Sequence, residues 1–245
     1  MAEKIGTIKI AKETKADLGG LSPEEITDLR VYSGNKKADL GFLAEYPNVE
    51  RLFVNGDFTD VDGISLLKRL NDLTLRVPCD LSGVNVPSLK RLSFFRQADS
   101  SLLTENIEYL ALMEMRKLSD LSFVEKATGL KKLYLMSLPS VESLPDFEKL
   151  PNLYALKMYE LHKLSDIESL TRSNIRYLSV SLIADKLSGT KRAEVLLNME
   201  RLEKAGITLD RNRRRDTVLE NRLKRAYKEQ ILEPSLAMME YWQRL

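Results

Sequence analysis

The 245-residue chain has a single cysteine, Cys79, so no disulfide can form within it. An intracellular, reducing, cytoplasmic setting is expected, with a disulfide-free secreted protein as the alternative. It also has one histidine, His162, which leaves no material for a histidine-dependent triad or a multi-histidine metal site. No stretch approaches the roughly 18 uninterrupted apolar residues that cross a membrane. The first ten residues, Met1 to Ile10, are charged and alternating, so no secretory leader is expected. The formal net charge is +2, too small to imply a nucleic-acid or anionic-membrane partner by itself. Leu81-Ser-Gly83 and Leu187-Ser-Gly189 are not phosphate loops, because no glycine-rich run ends in Lys-Ser/Thr. Cys79 lies in Val77-Pro-Cys-Asp80 with no obvious base nearby and reads as a turn residue or small core filler. No catalytic constellation, metal site or cofactor site is expected.

What the chain does have is repetition. From Leu130 it reads Leu-Lys-Lys-Leu133-Tyr-Leu135-Met-Ser-Leu138-Pro-Ser-Val141-Glu-Ser-Leu144. From Leu153 it reads Leu-Tyr-Ala-Leu156-Lys-Met158-Tyr-Glu-Leu161-His-Lys-Leu164-Ser-Asp-Ile167. Large apolar residues hold positions 1, 4, 6, 9, 12 and 15 of both units. Positions 4 and 6 alternate with other residues, as one face of a short strand requires. The spacing of three that follows suits turns or 3₁₀ segments. A unit with one apolar edge cannot bury it alone, so neighbours must stack.

Ile107/Leu110/Leu112, Leu89/Leu92/Phe94, Leu70/Leu73/Leu75, Val49/Leu52/Val54, Ile26/Leu29/Val31 and Ile175/Leu178/Val180 repeat the pattern. Ile5/Ile8/Ile10 is expected to begin it as a cap strand, with Ile8 at position 4. Position-4 residues then lie 18 to 23 apart. Such short units leave no room for a full helix on the outer side, except for a helical turn or two between Asp57 and Arg69.

This pattern resembles the leucine-rich-repeat superfamily, whose L-x-x-L-x-L-x-x-N/C-x-L consensus is matched by Leu130/Leu133/Leu135 and Leu153/Leu156/Met158. Leu138 and Leu161 replace the usual Asn or Cys. The resemblance implies an α/β solenoid of a bacterial kind, with a parallel concave β-sheet and a short-turn or 3₁₀ convex side. Residues 1–185 are expected to form the solenoid. Residues 186–245 are expected to form a helical C-terminal cap. A helix from Lys191 should carry Val195, Leu196, Met199 and Leu202 on one face, with Gly206 as its C′ stop and a last strand at Ile207–Leu209. Further helices are expected over 216–232 and 235–243. The last of these, with Leu236, Met238, Met239, Tyr241 and Trp242, either packs on the cap or docks on a partner.

The resemblance also implies a protein-binding scaffold, and positions 3, 5 and 7 of each strand would face outward from the core. They carry Tyr32, Phe53, Phe95, Tyr109, Met113, Tyr134, Met136, Tyr159 and Tyr177 beside Arg30, Arg51, Arg76 and Arg91. These residue types are enriched in protein interfaces. Stacking of aromatics along a sheet would also stabilise it, and the two roles are compatible. Repeats up to Phe95 carry the Arg and Asp; later repeats carry most of the Tyr and Met. The partner expected is a protein, possession of which suits an inhibitor or immunity-type role. The alternative is nucleic-acid binding through Arg211–Arg215 and the early arginines. Against it, Asp210, Asp216 and Glu220 partly neutralise that run.

Overall fold

In the computed structural model the described residues are 4–11, 14–34, 38–78, 80–181, 189–208, 217–226, 228 and 231. Cys79, the Arg211–Arg215 run and the expected helix over 235–243 lie outside them. The chain divides into two compact units, Met1–Ile107 and Glu108–Leu245.

The first unit has strands β1 (Ile5–Ile10), β2 (Thr14–Asp17), β3 (Asp28–Ser33), β4 (Arg51–Gly56), β5 (Asp72–Arg76) and β6 (Arg91–Phe95). The spatial order is β2-β1-β3-β4-β5-β6, and only the β1–β2 pair is antiparallel. The second unit has parallel strands β7 (Tyr109–Met113), β8 (Lys132–Met136), β9 (Ala155–Tyr159), β10 (Tyr177–Ser181) and β11 (Lys204–Thr208), in chain order. Helices α1 (Gly189–Asn198) and α2 (Thr217–Arg225) complete it. Each unit is a leucine-rich-repeat-like solenoid.

The strands hold the positions the repeat assigns. Leu29 pairs with Leu52, Leu52 with Leu73 and Leu73 with Leu92; Leu110, Leu133, Leu156 and Leu178 form the equivalent row. All are buried. Met115, Leu138 and Leu161 at position 9 are buried too, so an apolar layer runs through this position of the stack. Backbone carbonyls just before each strand tie the repeats together. The carbonyl of Glu108 accepts from the N–H groups of both Lys131 and Lys132, and that of Lys131 from Tyr154 and Ala155.

The outer segments are 3₁₀ turns: Gly41–Glu45, Asp62–Leu66, Ser100–Leu102, Ser122–Lys126, Phe147–Lys149 and Glu168–Arg172. An aspartate starts each of these six, whereas the 3₁₀ turn Pro23–Glu25 begins at Ser22. Asp39, Asp60, Asp99, Asp120, Asp146 and Asp166 accept from the N–H two residues ahead, at 2.8–3.2 Å. Asp80 does the same at the turn to Ser82, 3.0 Å. This aspartate turn satisfies an otherwise orphaned donor. It also holds the Asp80 and Asp120 carboxyls below the usual carboxylate range, through the backbone N–H of Ser82 and Ser122 first. In most copies a buried residue follows immediately: Leu40, Val61, Leu81, Leu121, Phe147 or Ile167.

The structure corrects three expectations. Ile8 pairs with Val31, so it holds position 6, and Gly6 stands opposite Leu29. A Cβ at Gly6 would come within 3.0 Å of Leu18 and 3.3 Å of Ile26, so the missing side chain lets those two residues close the stack. The cap is a hairpin rather than a lone strand, because β2 covers the edge of β1. Gly206 lies inside β11 and does not stop a helix: α1 ends at Asn198, and Met199 and Leu202 continue as turns. The helical turn expected between Asp57 and Arg69 is present as the 3₁₀ turn Asp62–Leu66, no longer than its counterparts and with Leu66 exposed. Of the expected helix over 216–232, α2 is described, with Leu219 and Leu223 buried on one face.

Candidate functional site

On the open sheet face of the first unit, position 3 reads Asp28, Arg51, Asp72, Arg91 in successive paired strands. The signs alternate, so each charge stands opposite its complement. Arg51 Nε donates to Asp28 Oδ2 at 3.1 Å, and Arg91 Nε to Asp72 Oδ2 at 3.1 Å. Arg30 Nε is 3.9 Å from Asp28 Oδ1. The arginines read as free contacts in the sequence are therefore partly committed to the sheet itself. Exposed pairs of this kind are worth about 0–1 kcal/mol each and act chiefly to hold side-chain direction.

Aromatics lie beside the ladder. The rings of Tyr32 and Phe53 are 5.6 Å apart and tilted by 51°, and the Arg76 guanidinium sits 5.4 Å from the Phe95 ring centroid. An open depression of about 340 Å³ lies among Asp28, Arg30, Arg51, Tyr32, Phe53 and Asp72.

The open face of the second unit has another character. Its inner positions carry small residues, with Ala111, Ala155 and Ser179 buried, and tyrosines rise around them. Tyr134 on β8 stands opposite Ala111 on one side and Lys157 on the other. Its hydroxyl donates to Met136 Sδ at 3.0 Å, and Lys157 Nζ lies 5.0 Å from its ring centroid. Burial first, then the neighbouring Tyr109, Tyr159 and Glu160, pushes the Tyr134 hydroxyl up to about 12. Tyr177 is held from below: its hydroxyl donates to Glu203 Oε2 at 3.0 Å, and its ring meets Tyr154 edge-on at 6.4 Å. Met136 and Tyr159 form a cross-strand pair and are partly exposed.

Of the twelve residues named from the sequence, Tyr32, Arg51, Phe53, Arg76, Arg91 and Phe95 lie on strands of the first unit. Tyr109, Met113, Tyr134, Met136, Tyr159 and Tyr177 lie on strands of the second. Eleven are at least partly exposed; Met113 is buried at 9% exposure and offers little area. Sequence reasoning missed two things here. One is the pairing role of Asp28 and Asp72, legible in the strict acid–base alternation of position 3. The other is Lys157, which with Lys132 is a cation on a face otherwise occupied by tyrosine, methionine and small residues.

The raised Tyr134 group gives a test of this burial. Its folded-state value lies above the ordinary phenol value near 10, so the folded state holds the proton more tightly. The resulting stability is fully present below about pH 10 and is lost as pH rises through about 12. The shift would correspond to about 2.7 kcal/mol if unscreened. Because the group is half open to solvent, the expected loss is on the order of 1 kcal/mol. Denaturant titrations from pH 9 to 12 should show wild type losing that much more than Tyr134→Phe. Parallel curves would mean that the hydroxyl is solvated.

No family model matches the chain, and no curated protein matches it. Among solved structures it is similar to an internalin C2 from Listeria monocytogenes, at 18% identity and a TM-score of 0.40. The match covers 60% of this chain and 64% of that one, less than two thirds of either. Among the described residues no group of three or more His, Cys, Asp or Glu could hold a metal ion, and no helix is long and apolar enough to cross a membrane.

Proposed function

From a leucine-rich-repeat stack backed by 3₁₀ turns, we propose that this chain is a non-catalytic, cytoplasmic protein-binding module of the inhibitor or immunity type. Its grip is the tyrosine- and methionine-rich face of the second unit. The observation that carries this reading is the group Tyr109, Tyr134, Tyr159 and Tyr177. All four are half-buried on one face, directed outward by strand alternation. Tyrosine gives a large contact area with few rotatable bonds, so little entropy is lost when a partner covers it. A sheet face serving only as surface would be richer in Thr, Ser, Lys and Glu. The segment 186–245 closes the stack in this reading, with α1 set against Leu178, Val180 and Ile207 of the last strands and α2 packed on α1.

A nucleic-acid role is less well supported. Arg51 and Arg91 lie against Asp28 and Asp72, so that face carries no continuous positive groove for a phosphate backbone.

The test compares wild type with Tyr134→Ala/Tyr159→Ala. Each immobilised protein is exposed to native lysate, and any captured protein is then titrated in purified form. The double variant should fold and should bind its partner more weakly by over about 2 kcal/mol. Unchanged affinity in a folded variant would sink the assignment of this face.

A further inference from the structure

The inference rests on the protein-binding reading and concerns what the partner must present. Lys157 lies mid-strand on β9, opposite Tyr134 on β8 and Ser179 on β10. It is half-buried, yet its contact is an aromatic ring at 5.0 Å rather than a carboxylate. Contrast the cations of the first unit's face, where Arg51 and Arg91 each have an aspartate at 3.1 Å. Three outer cations are paired as well: Lys131 with Glu108, Lys149 with Glu125, Lys191 with Glu168. Among the described residues, no carboxylate lies within ion-pair distance of Lys157. Burial is the cause that lowers its ammonium from the usual value, as expected of a cation that loses water without gaining an anion.

The surroundings narrow the choice of anion. Positions 3, 5 and 7 of β7 to β10 hold Lys132 and Lys157 and no acidic residue. Glu114 and Glu160 stand one residue past the ends of β7 and β9, and Glu160 accepts from Ser137 Oγ at 2.6 Å. A polyanion such as a nucleic acid would meet that acidic rim. A single carboxylate arriving among apolar groups would not need to cross it. The Tyr134 hydroxyl beside Lys157 is directed at a thioether sulfur, a weak acceptor, and a carboxylate oxygen would be a stronger one.

We propose that Lys157, set against the Tyr134 ring, is the anchor for an Asp or Glu side chain on the partner protein. That carboxylate sits between apolar residues that cover Tyr134 and Tyr159. Lysine held in this state is an unmet half of an ion pair, which the partner completes on binding.

The probe is a random peptide library displayed on phage and selected against the full chain. Enriched peptides should share an Asp or Glu flanked by apolar residues. Synthesised peptides should lose about tenfold or more in affinity on Lys157→Met, or on changing the acid to its amide. The two losses should not add in a double-mutant cycle. Unchanged thermal melting would show that Lys157→Met folds. Peptides lost on Tyr134→Ala/Tyr159→Ala but indifferent to Lys157→Met would overturn the anchor while leaving the face as the binding site. Indifference to both changes would overturn both readings. The anchor is also overturned if no acidic peptide is enriched, or if phosphoserine in place of the acid binds more tightly, which would assign the site to phosphate.

Discussion

Gly56→Ala is expected to destabilise the first unit by about 3–5 kcal/mol, because it adds a clash to a strained backbone position. Gly56 ends β4 with φ at +122°, a region L side chains rarely adopt. A Cβ there would overlap the Ser33 carbonyl oxygen and lie 2.8 Å from the carbonyl carbon. Neither side can easily yield. Ser33 and Gly56 are the last register pair of β3 and β4, and the Asp57 N–H donates to the same carbonyl at 3.3 Å. The consequence reaches the open face, because this register sets Arg51 against Asp28 and Phe53 beside Tyr32. Gly34→Ala is the control. A Cβ at Gly34 meets nothing within 4 Å and its φ is not positive, so it should stay within about 0.5 kcal/mol of wild type. Denaturant titration of the two variants decides the matter. If Gly56→Ala matched Gly34→Ala, the close approach of the two strand ends would be wrong.

Much of this architecture is legible in the sequence, because burial in a repeat stack depends on local spacing. Leu133, Leu135, Leu138 and Val141 are fully buried where the repeat puts them. Features that depend on a neighbouring repeat are harder to read. β2 is written Thr-Lys-Ala-Asp and is exposed throughout; it exists because β1 offers an open edge, not because of its own pattern. The aspartate turns start at variable distances from position 4, as Asp60, Asp120 and Asp146 illustrate, so a fixed-period alignment blurs them. Read locally most of them share Asp, then a buried apolar residue, then the donor, as in Asp120-Leu121-Ser122 and Asp166-Ile167-Glu168.

The candidate site divides along the same line. Strand alternation fixes which residues face outward, and that much is in the sequence. How far each is covered depends on the residue some 20 positions away. Met113 faces the same way as Met136, yet it is the buried one of the pair. Lys157 gains its character from Tyr134, a relation visible only once the register is fixed. Four non-glycine residues just past strand ends, Arg96, Glu114, Ser137 and Glu160, adopt positive φ. None carries a glycine's signature. In the second unit the backbone explains the conformation: Glu114, Ser137 and Glu160 donate their N–H to the carbonyls of Met136, Tyr159 and Ser181 in the next repeat. These bonds offset a local cost of about 1 kcal/mol each.

Leu133→Ala should cost the second unit about 2–5 kcal/mol. The side chain is fully buried and stands in register between Leu110 on β7 and Leu156 on β9. Removing it opens a cavity that strands tied at both ends by backbone bonds cannot close by collapsing. The next residue, Tyr134, faces the opposite way, so alternation predicts opposite phenotypes for adjacent positions. Leu133→Ala should lower stability while the folded fraction retains its partner affinity. Tyr134→Ala/Tyr159→Ala should do the reverse. Denaturant titration paired with binding measurements on both variants reads each property separately. Wild-type stability in Leu133→Ala would refute the register itself, since a one-residue slip exchanges the two faces of β8. A loss of affinity in Leu133→Ala larger than its unfolded fraction explains would mean that the core packing positions Tyr134 as well as supporting it.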